Sequence, residues 1–97
     1  MAQRGRSAVT LAQLLQSGLI DAGQELRLRG TAEAQAVVTQ TGGVEYAGTV
    51  YSSPSTAARA ARGGTSTNGW LAWQVEIDGL WVDLSDLRQR WFAQGER

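Results

Sequence analysis

The sequence predicts an α+β domain in which a small, mainly antiparallel sheet of four to five strands carries about three helices. Short runs of alternating apolar residues end at glycines, as antiparallel strands do. Helix-capping residues precede three other apolar stretches. A chain of 97 residues has room for one hydrophobic core. We expect the order α-β-β-β-α-β-β-α in one domain over residues 9–93, with a flexible basic tail over residues 1–8 and a frayed end over 94–97.

The first helix is predicted between Thr10 and Gly18. Thr10 fits the N-cap, and Gln13 stands three residues later, which is the capping-box spacing. Val9 and Leu14 occupy the two hydrophobic-staple positions. Gly18 fits a left-handed C-terminal stop.

Three strands are expected next. Leu26 and Leu28 alternate with arginines, which is typical of a half-buried strand that Gly30 ends. Residues 33–39 form the second predicted strand. After a Gly-Gly turn, residues 44–50 form the third, with Gly48 as a candidate bulge.

A second helix is predicted from Pro54 to about Arg62, because proline is favoured at the first helical position. Either Ser52 or Ser53 would be its N-cap. Its alanines lie on one side, where they allow close approach to the sheet, and Gly63-Gly64 ends it. Its arginines lie together on another side.

The last third of the chain is predicted to be a loop, a hairpin and a helix. Residues 65–69 are polar, and residues 70–77 alternate as a strand that places Leu71 and Trp73 on one face and Trp70 on the other. Asp78-Gly79 fits a tight turn before a return strand over 80–82. Asp83 or Ser85 would cap the final helix.

Composition excludes several kinds of site. The chain contains neither cysteine nor histidine, which removes disulfides, thiolate metal sites and the usual general base. The acidic residues near the end fit a turn and a helix start. We therefore expect no enzymatic activity, no cofactor and no metal. No apolar run is long enough to span a membrane, and glutamines interrupt the N-terminal apolar stretch, so we expect a cytoplasmic protein.

Charge gives a mixed indication. The formal net charge is zero, which counts against strong non-specific DNA binding. Residues 1–62 nevertheless carry six arginines and four acids, whereas residues 63–97 carry three arginines and five acids. All basic residues are arginine, which suits bidentate contacts to phosphates or bases. A GC-rich genome would explain the same bias.

The candidate anion-binding residues lie on the second helix. Ser53 and Ser55 stand at its N-terminus, where free amides and hydroxyls can hold a phosphate. The alternative is that Ser-Pro simply starts a helix. Arg59 and Arg62 would contact a nucleic-acid backbone, or else form a solvated face.

The candidate base-contacting residues follow the loop. Trp73 is the better core residue, whereas Trp70 is the better stacking residue. Asn68 is suited either to pairing with an adenine edge or to a turn with unusual backbone angles. Tyr46 and Tyr51 would complete an aromatic pocket, or else be half-buried packing residues.

Three segments together resemble the RAMA domain, whose name stands for restriction enzyme adenine methylase associated. They are VTLAQLL…GLI near the start, YSSPSTAA, and NGWLAW. The similarity spans roughly residues 8–90. It implies DNA binding, often proposed to be recognition of modified bases such as 6-methyladenine, through the positions Ser53, Pro54, Ser55, Ala57, Ala58, Asn68, Gly69, Trp70 and Trp73. Family members are usually fused to a catalytic or nuclease domain, so we expect either a free-standing module or an excised domain.

The leading hypothesis is a non-catalytic DNA-binding module of a bacterial restriction system, with recognition of a modified base as its finer form. The alternative is a module that tethers a restriction nuclease or a DNA methyltransferase. A nucleotide-like small molecule at the same helix start is a third option. A basic patch from Ser53 to Arg62 would favour DNA, whereas an apolar patch over Trp70 or Trp81 without arginine would favour protein. Convergence of Trp70, Asn68 and the amides of residues 53–55 on one open pocket would favour the predicted site.

Overall fold

A computed structural model describes residues 9–95; the predicted N-terminal tail and residues 96 and 97 of the predicted frayed end lie outside this range. The described chain forms four helices and six strands, in the order α1 (Leu11–Ser17), β1 (Glu25–Leu28), β2 (Thr31–Val38), β3 (Val44–Tyr46), β4 (Thr49–Tyr51), α2 (Pro54–Ala61), α3 (Gly69–Ala72), β5 (Trp73–Ile77), β6 (Leu80–Asp83) and α4 (Leu84–Gly95). None of the helices within residues 9–95 has the length and apolarity needed to cross a bilayer.

The strands form one antiparallel sheet in the order β4-β3-β2-β1-β5-β6. Strands β1 to β4 follow one another as a meander. The chain then passes through α2 and α3 before β5 pairs with the other side of β1. The connection therefore runs from the β4 edge, where α2 packs against β3 and β4, to β5 beside the central strand β1.

All four helices share one core with the inner face of the sheet. Inner-face residues such as Leu26, Val75 and Trp73 are buried with helix residues such as Leu14 and Leu87. Residues that alternate with them along the strands, on the opposite face, are exposed or half-buried. The domain therefore has two layers, with helices on one side of the sheet.

The first two helices begin as their sequences predict. Thr10 caps α1 with the complete capping box, and Gly18 adopts the left-handed conformation with φ 82°. Ser53 is the N-cap of α2, and Pro54 is at its start. This resolves the choice between Ser52 and Ser53.

The α+β class and the antiparallel sheet are confirmed, but the predicted numbers of strands and helices were too low. Residues 44–50 are not one strand. Ala47 and Gly48 have φ angles of 52° and 84° and form a tight turn between β3 and β4. Gly48 is therefore a turn residue and not a bulge.

The second difference lies at residues 69–72, which form the helical turn α3 and not the start of a strand. Asn68 caps this turn, and β5 begins at Trp73. Because successive residues of a helix are 100° apart and not 180°, Leu71 turns outward and is 48% exposed. The expectation that Leu71 shares the buried face of Trp73 was wrong.

Candidate nucleic-acid interface

The N-terminus of α2 is held by hydrogen bonds within the protein. The Ser53 hydroxyl accepts a bond of 3.2 Å from the Thr56 amide and is 2.8 Å from the Thr56 hydroxyl. The Ser55 hydroxyl accepts a bond of 2.9 Å from the amide of Gly69. Both predicted phosphate-binding hydroxyls thus have partners inside the fold, and a bound phosphate would have to share these hydroxyls with the intramolecular partners.

Gly69 and Trp73 complete this junction. A Cβ atom at Gly69 would overlap the carbonyl group of Pro54 and the nitrogen of Ser55, so α3 approaches the start of α2 as closely as backbone allows. The Trp73 indole is fully buried and donates a hydrogen bond to the Pro54 carbonyl. The predicted core role of Trp73 is confirmed.

Arg59 and Arg62 lie at the other end of α2 and are exposed. Arg59 Nε donates to the Gly64 carbonyl at 3.1 Å, and an Arg62 terminal nitrogen donates to the Arg29 carbonyl at 3.2 Å. A guanidinium has five N–H donors, and each of these bonds uses one. Each guanidinium therefore has a backbone partner and keeps further donors for a ligand.

Two adjacent open cavities flank the polar loop after α2. The larger, of about 350 Å³, is lined by Arg29, Arg62, Thr65, Ser66, Thr67, Asn68, Leu71 and Ala72. The smaller, of about 200 Å³, is lined by Ser55, Thr56, Arg59, Ser66 and Thr67. Ser66 and Thr67 line both, so the loop forms a ridge between them. Neither lining contains a carboxylate, and each contains at least one arginine.

Two residues of the larger cavity were missed in the sequence. Arg29 was assigned only to an exposed strand position, but its guanidinium forms an ion pair with both oxygens of Asp83 at 2.8 Å. Leu71 was assigned to the core. The capping preference of Asn68 was the signal for α3, and α3 in turn would have placed Leu71 outward.

The predicted ligand-contacting residues do not converge on one pocket. Asn68 lines the larger cavity with Arg62, and Ser55 lines the smaller with Arg59. Trp70 lines neither; it is half-buried, and the guanidinium carbon of Arg88 lies 4.8 Å from its ring centre.

Comparison with protein families matches residues 1–97 to RAMA, Restriction Enzyme Adenine Methylase Associated. The chain belongs to the RAMA family. This confirms the predicted family and associates the domain with restriction enzymes and adenine methylases. A search of curated proteins found no match.

The residues that resemble the family pattern have structural partners in this RAMA domain. Ser53 caps α2, Ser55 binds the Gly69 amide, and Trp73 binds Pro54. The Asn68 side-chain oxygen accepts a bond of 3.0 Å from the Trp70 amide, as an N-cap does. The motif therefore builds the α2–α3 junction, and the cavities lie beside it.

The tyrosines proposed for an aromatic pocket pack against the core of the RAMA domain. Tyr46 and Tyr51 are both half-buried. The Tyr46 ring centre lies 6.3 Å from that of Trp73, in a tilted arrangement. Neither tyrosine lines the two cavities beside the loop.

Proposed function

We propose that this RAMA domain is a non-catalytic, cytoplasmic DNA-binding module of a restriction system, and that Arg59 and Arg62 contact the phosphate backbone. The observation that carries the proposal is the placement of these arginines in two cavities on either side of one polar loop. Side-chain hydroxyls and backbone amides of such a loop are common phosphate contacts.

The local charge supports this use despite a net charge of zero. Three arginines line the two cavities, and the lining residues include no acid. Asp83 balances one of the arginines, Arg29. The remaining two give a surface that attracts an anionic backbone without the overall basic charge of a strong non-specific binder.

Recognition of a modified base is the finer form of the proposal. The larger cavity combines exposed Leu71 with the Asn68 amide and Arg62. Leu71 offers apolar contact to an N6-methyl group, and Asn68 offers donors to a base edge while its oxygen caps α3. We give Trp70 no stacking role, because its ring is half-buried beneath Arg88.

Tethering through tryptophan receives less support. Trp70 and Trp81 are both half-buried, and an arginine lies over each ring, Arg88 over Trp70 and Arg27 over Trp81. The apolar patch without arginine that would favour a protein partner at these tryptophans is therefore not found there.

The proposal is tested by measuring binding to labelled duplexes at two or more salt concentrations. One duplex is methylated at adenine and the other is not. Arg59→Gln and Arg62→Gln should each reduce the slope of log K against log salt by about 0.9, the value for one phosphate contact. Arg90→Gln is the matched control, because Arg90 is exposed on α4 and lines neither cavity.

Absence of binding to either duplex at low salt would exclude DNA recognition. Equal binding to both duplexes would exclude only selectivity for methyladenine. If Arg90→Gln lowers the slope as much as the other two variants do, the proposed placement of the interface is wrong.

A further inference from the structure

The helix-free face of the sheet carries an ordered row of acidic and apolar side chains. Register pairs Val50 with Glu45, Glu45 with Val37, and Val37 with Glu25. On the other side of β1, Leu26 pairs with Val75, which places Glu25 beside Glu76, and Glu76 pairs with Trp81. We call this row, Val50–Glu45–Val37–Glu25–Glu76–Trp81, the acidic row.

The three carboxylates of the acidic row have no cationic partner within the described part of the chain. Glu25, Glu45 and Glu76 are exposed, and the ion pair formed among residues 9–95 joins Arg29 to Asp83. Arg27, on the same face, stacks on Trp81 with its guanidinium carbon 4.0 Å from the ring centre. Like charges directly opposite each other on a sheet are destabilising, and Glu25 and Glu76 hold such positions on β1 and β5.

Apolar surface alternates with these charges. Val50 is 59% exposed, Val37 is half-buried between two glutamates, and a shallow cavity of about 320 Å³ lies over this part of the face. It is lined by Glu25, Gln35, Ala36, Val37, Glu45, Ala47 and Gly48. The surface is therefore suited to a ligand that brings both cations and aliphatic groups, and it repels nucleic acid.

We propose that the acidic row docks a basic amphipathic helix of a partner protein. Neighbouring strands lie about 4.8 Å apart, so Glu45 and Glu25 are about 10 Å apart and Glu76 is about 14 Å from Glu45. A helix rises about 10.5 Å over seven residues and about 15 Å over ten. Basic residues at i, i+7 and i+10, with apolar residues at i−4 and i+3 or i+4, thus match the row.

Two other occupants fit less well. Side chains on one face of an extended strand repeat at about 6.8 Å, so two repeats match the Glu45–Glu76 separation but no repeat matches the separation of about 10 Å between Glu45 and Glu25. A second copy of this chain offers Arg59 on α2 with Arg62 as the C-cap of that helix, and Arg88 and Arg90 on α4. These pairs are three and two residues apart, so no helix among residues 9–95 presents cations seven residues apart.

The test uses a synthetic helical peptide of about 18 residues with arginines and leucines at these positions and alanine elsewhere. A second peptide replaces its arginines with glutamine. Each peptide is titrated into the isotope-labelled protein, and NMR follows the amide signals. The arginine peptide should shift the signals of β1, β2 and β3, whereas the glutamine peptide should not. Glu25→Gln with Glu45→Gln should weaken binding about tenfold, as expected for two exposed ion pairs plus the remaining field.

The control double variant is Asp78→Asn with Asp86→Asn, which removes the same charge from a turn and from the helix layer. It should change peptide affinity less than about twofold. Duplex binding by the glutamate variant should stay unchanged, so this inference and the DNA proposal fail separately. Three results would overturn the inference: no peptide binding, equal affinity of both double variants, or self-association of the wild-type chain that the glutamate variant abolishes.

Discussion

The indole Nε1 of Trp73 donates a buried hydrogen bond of 3.0 Å to the carbonyl oxygen of Pro54, joining the first residue of β5 to the first residue of α2. The chain between them contains the rest of α2, the polar loop and α3. Because both ends of this segment are fixed on the sheet, Arg59, Arg62 and the loop have defined positions. The geometry of the proposed interface thus depends on a bond between two residues that line neither cavity.

Trp73→Phe should destabilise the domain by about 2–4 kcal/mol. The variant removes the indole donor to the buried Pro54 carbonyl and opens a cavity where the indole stood. Urea denaturation followed by circular dichroism measures the loss. Trp81→Phe is the control, since Trp81 is half-buried, and it should cost less than about 1 kcal/mol. Equal losses would show that the Pro54 bond contributes little.

Gly69→Ala should be more damaging than a substitution at a glycine with unusual backbone angles. The added methyl would overlap the Pro54 carbonyl and force α3 away from α2. We expect a loss of about 3 kcal/mol or failure to fold. Gly30→Ala is the comparison, because Gly30 has φ 81° and open space around its Cβ position, and it should cost about 1–2 kcal/mol. A smaller loss at Gly69 than at Gly30 would contradict the close approach.

The β3–β4 and β5–β6 hairpins show what the sequence could and could not indicate. Asp78-Gly79 was recognised as a turn because Asp-Gly is a preferred pair for positive φ angles. Ala47-Gly48 has the same geometry, with φ 52° and 84°, but alanine is a poor signal for a left-handed residue. The residues on both sides are compatible with a continuous strand, so one strand was predicted where the chain forms two.

Ala47→Asn should therefore stabilise the domain by about 0.5–1 kcal/mol. It replaces a strained residue with one that tolerates the left-handed region and creates an Asn-Gly turn. Thermal denaturation of the variant should show a higher Tm than wild type. Asp78→Asn, at the equivalent position of the other hairpin, should leave Tm nearly unchanged. A lower Tm for Ala47→Asn would mean that the β3–β4 turn is held by interactions other than its own backbone preference.

The candidate site was predictable only where residues are local in sequence. Arg59, Arg62 and Asn68 could be grouped because one helix and its following loop carry them. Arg29 joins them through the pairing of β1 with β5, and no local pattern indicates that two distant segments meet. Leu71 was misplaced for another reason. Residues 69–72 fit the alternation of a strand, but they form a helical turn that Asn68 caps.

Asp83→Asn should strengthen DNA binding while changing stability little. Asp83 holds Arg29 with bonds of 2.8 Å to both carboxylate oxygens, and the Arg29 side chain is 57% exposed. An ion pair this exposed contributes less than about 1 kcal/mol to folding. Removing the carboxylate frees the Arg29 guanidinium from its ion pair in the cavity that Arg29 and Arg62 both line, and it deletes a charge that repels phosphate. Duplex affinity at low salt should rise several-fold, and the salt slope should steepen by about 0.9 if Arg29 gains one phosphate.

Asp78→Asn removes the same charge from the opposite end of the β5–β6 hairpin and should leave the slope as in wild type. An unchanged slope in Asp83→Asn would restrict the phosphate contacts to Arg59 and Arg62 and would separate Arg29 from the interface.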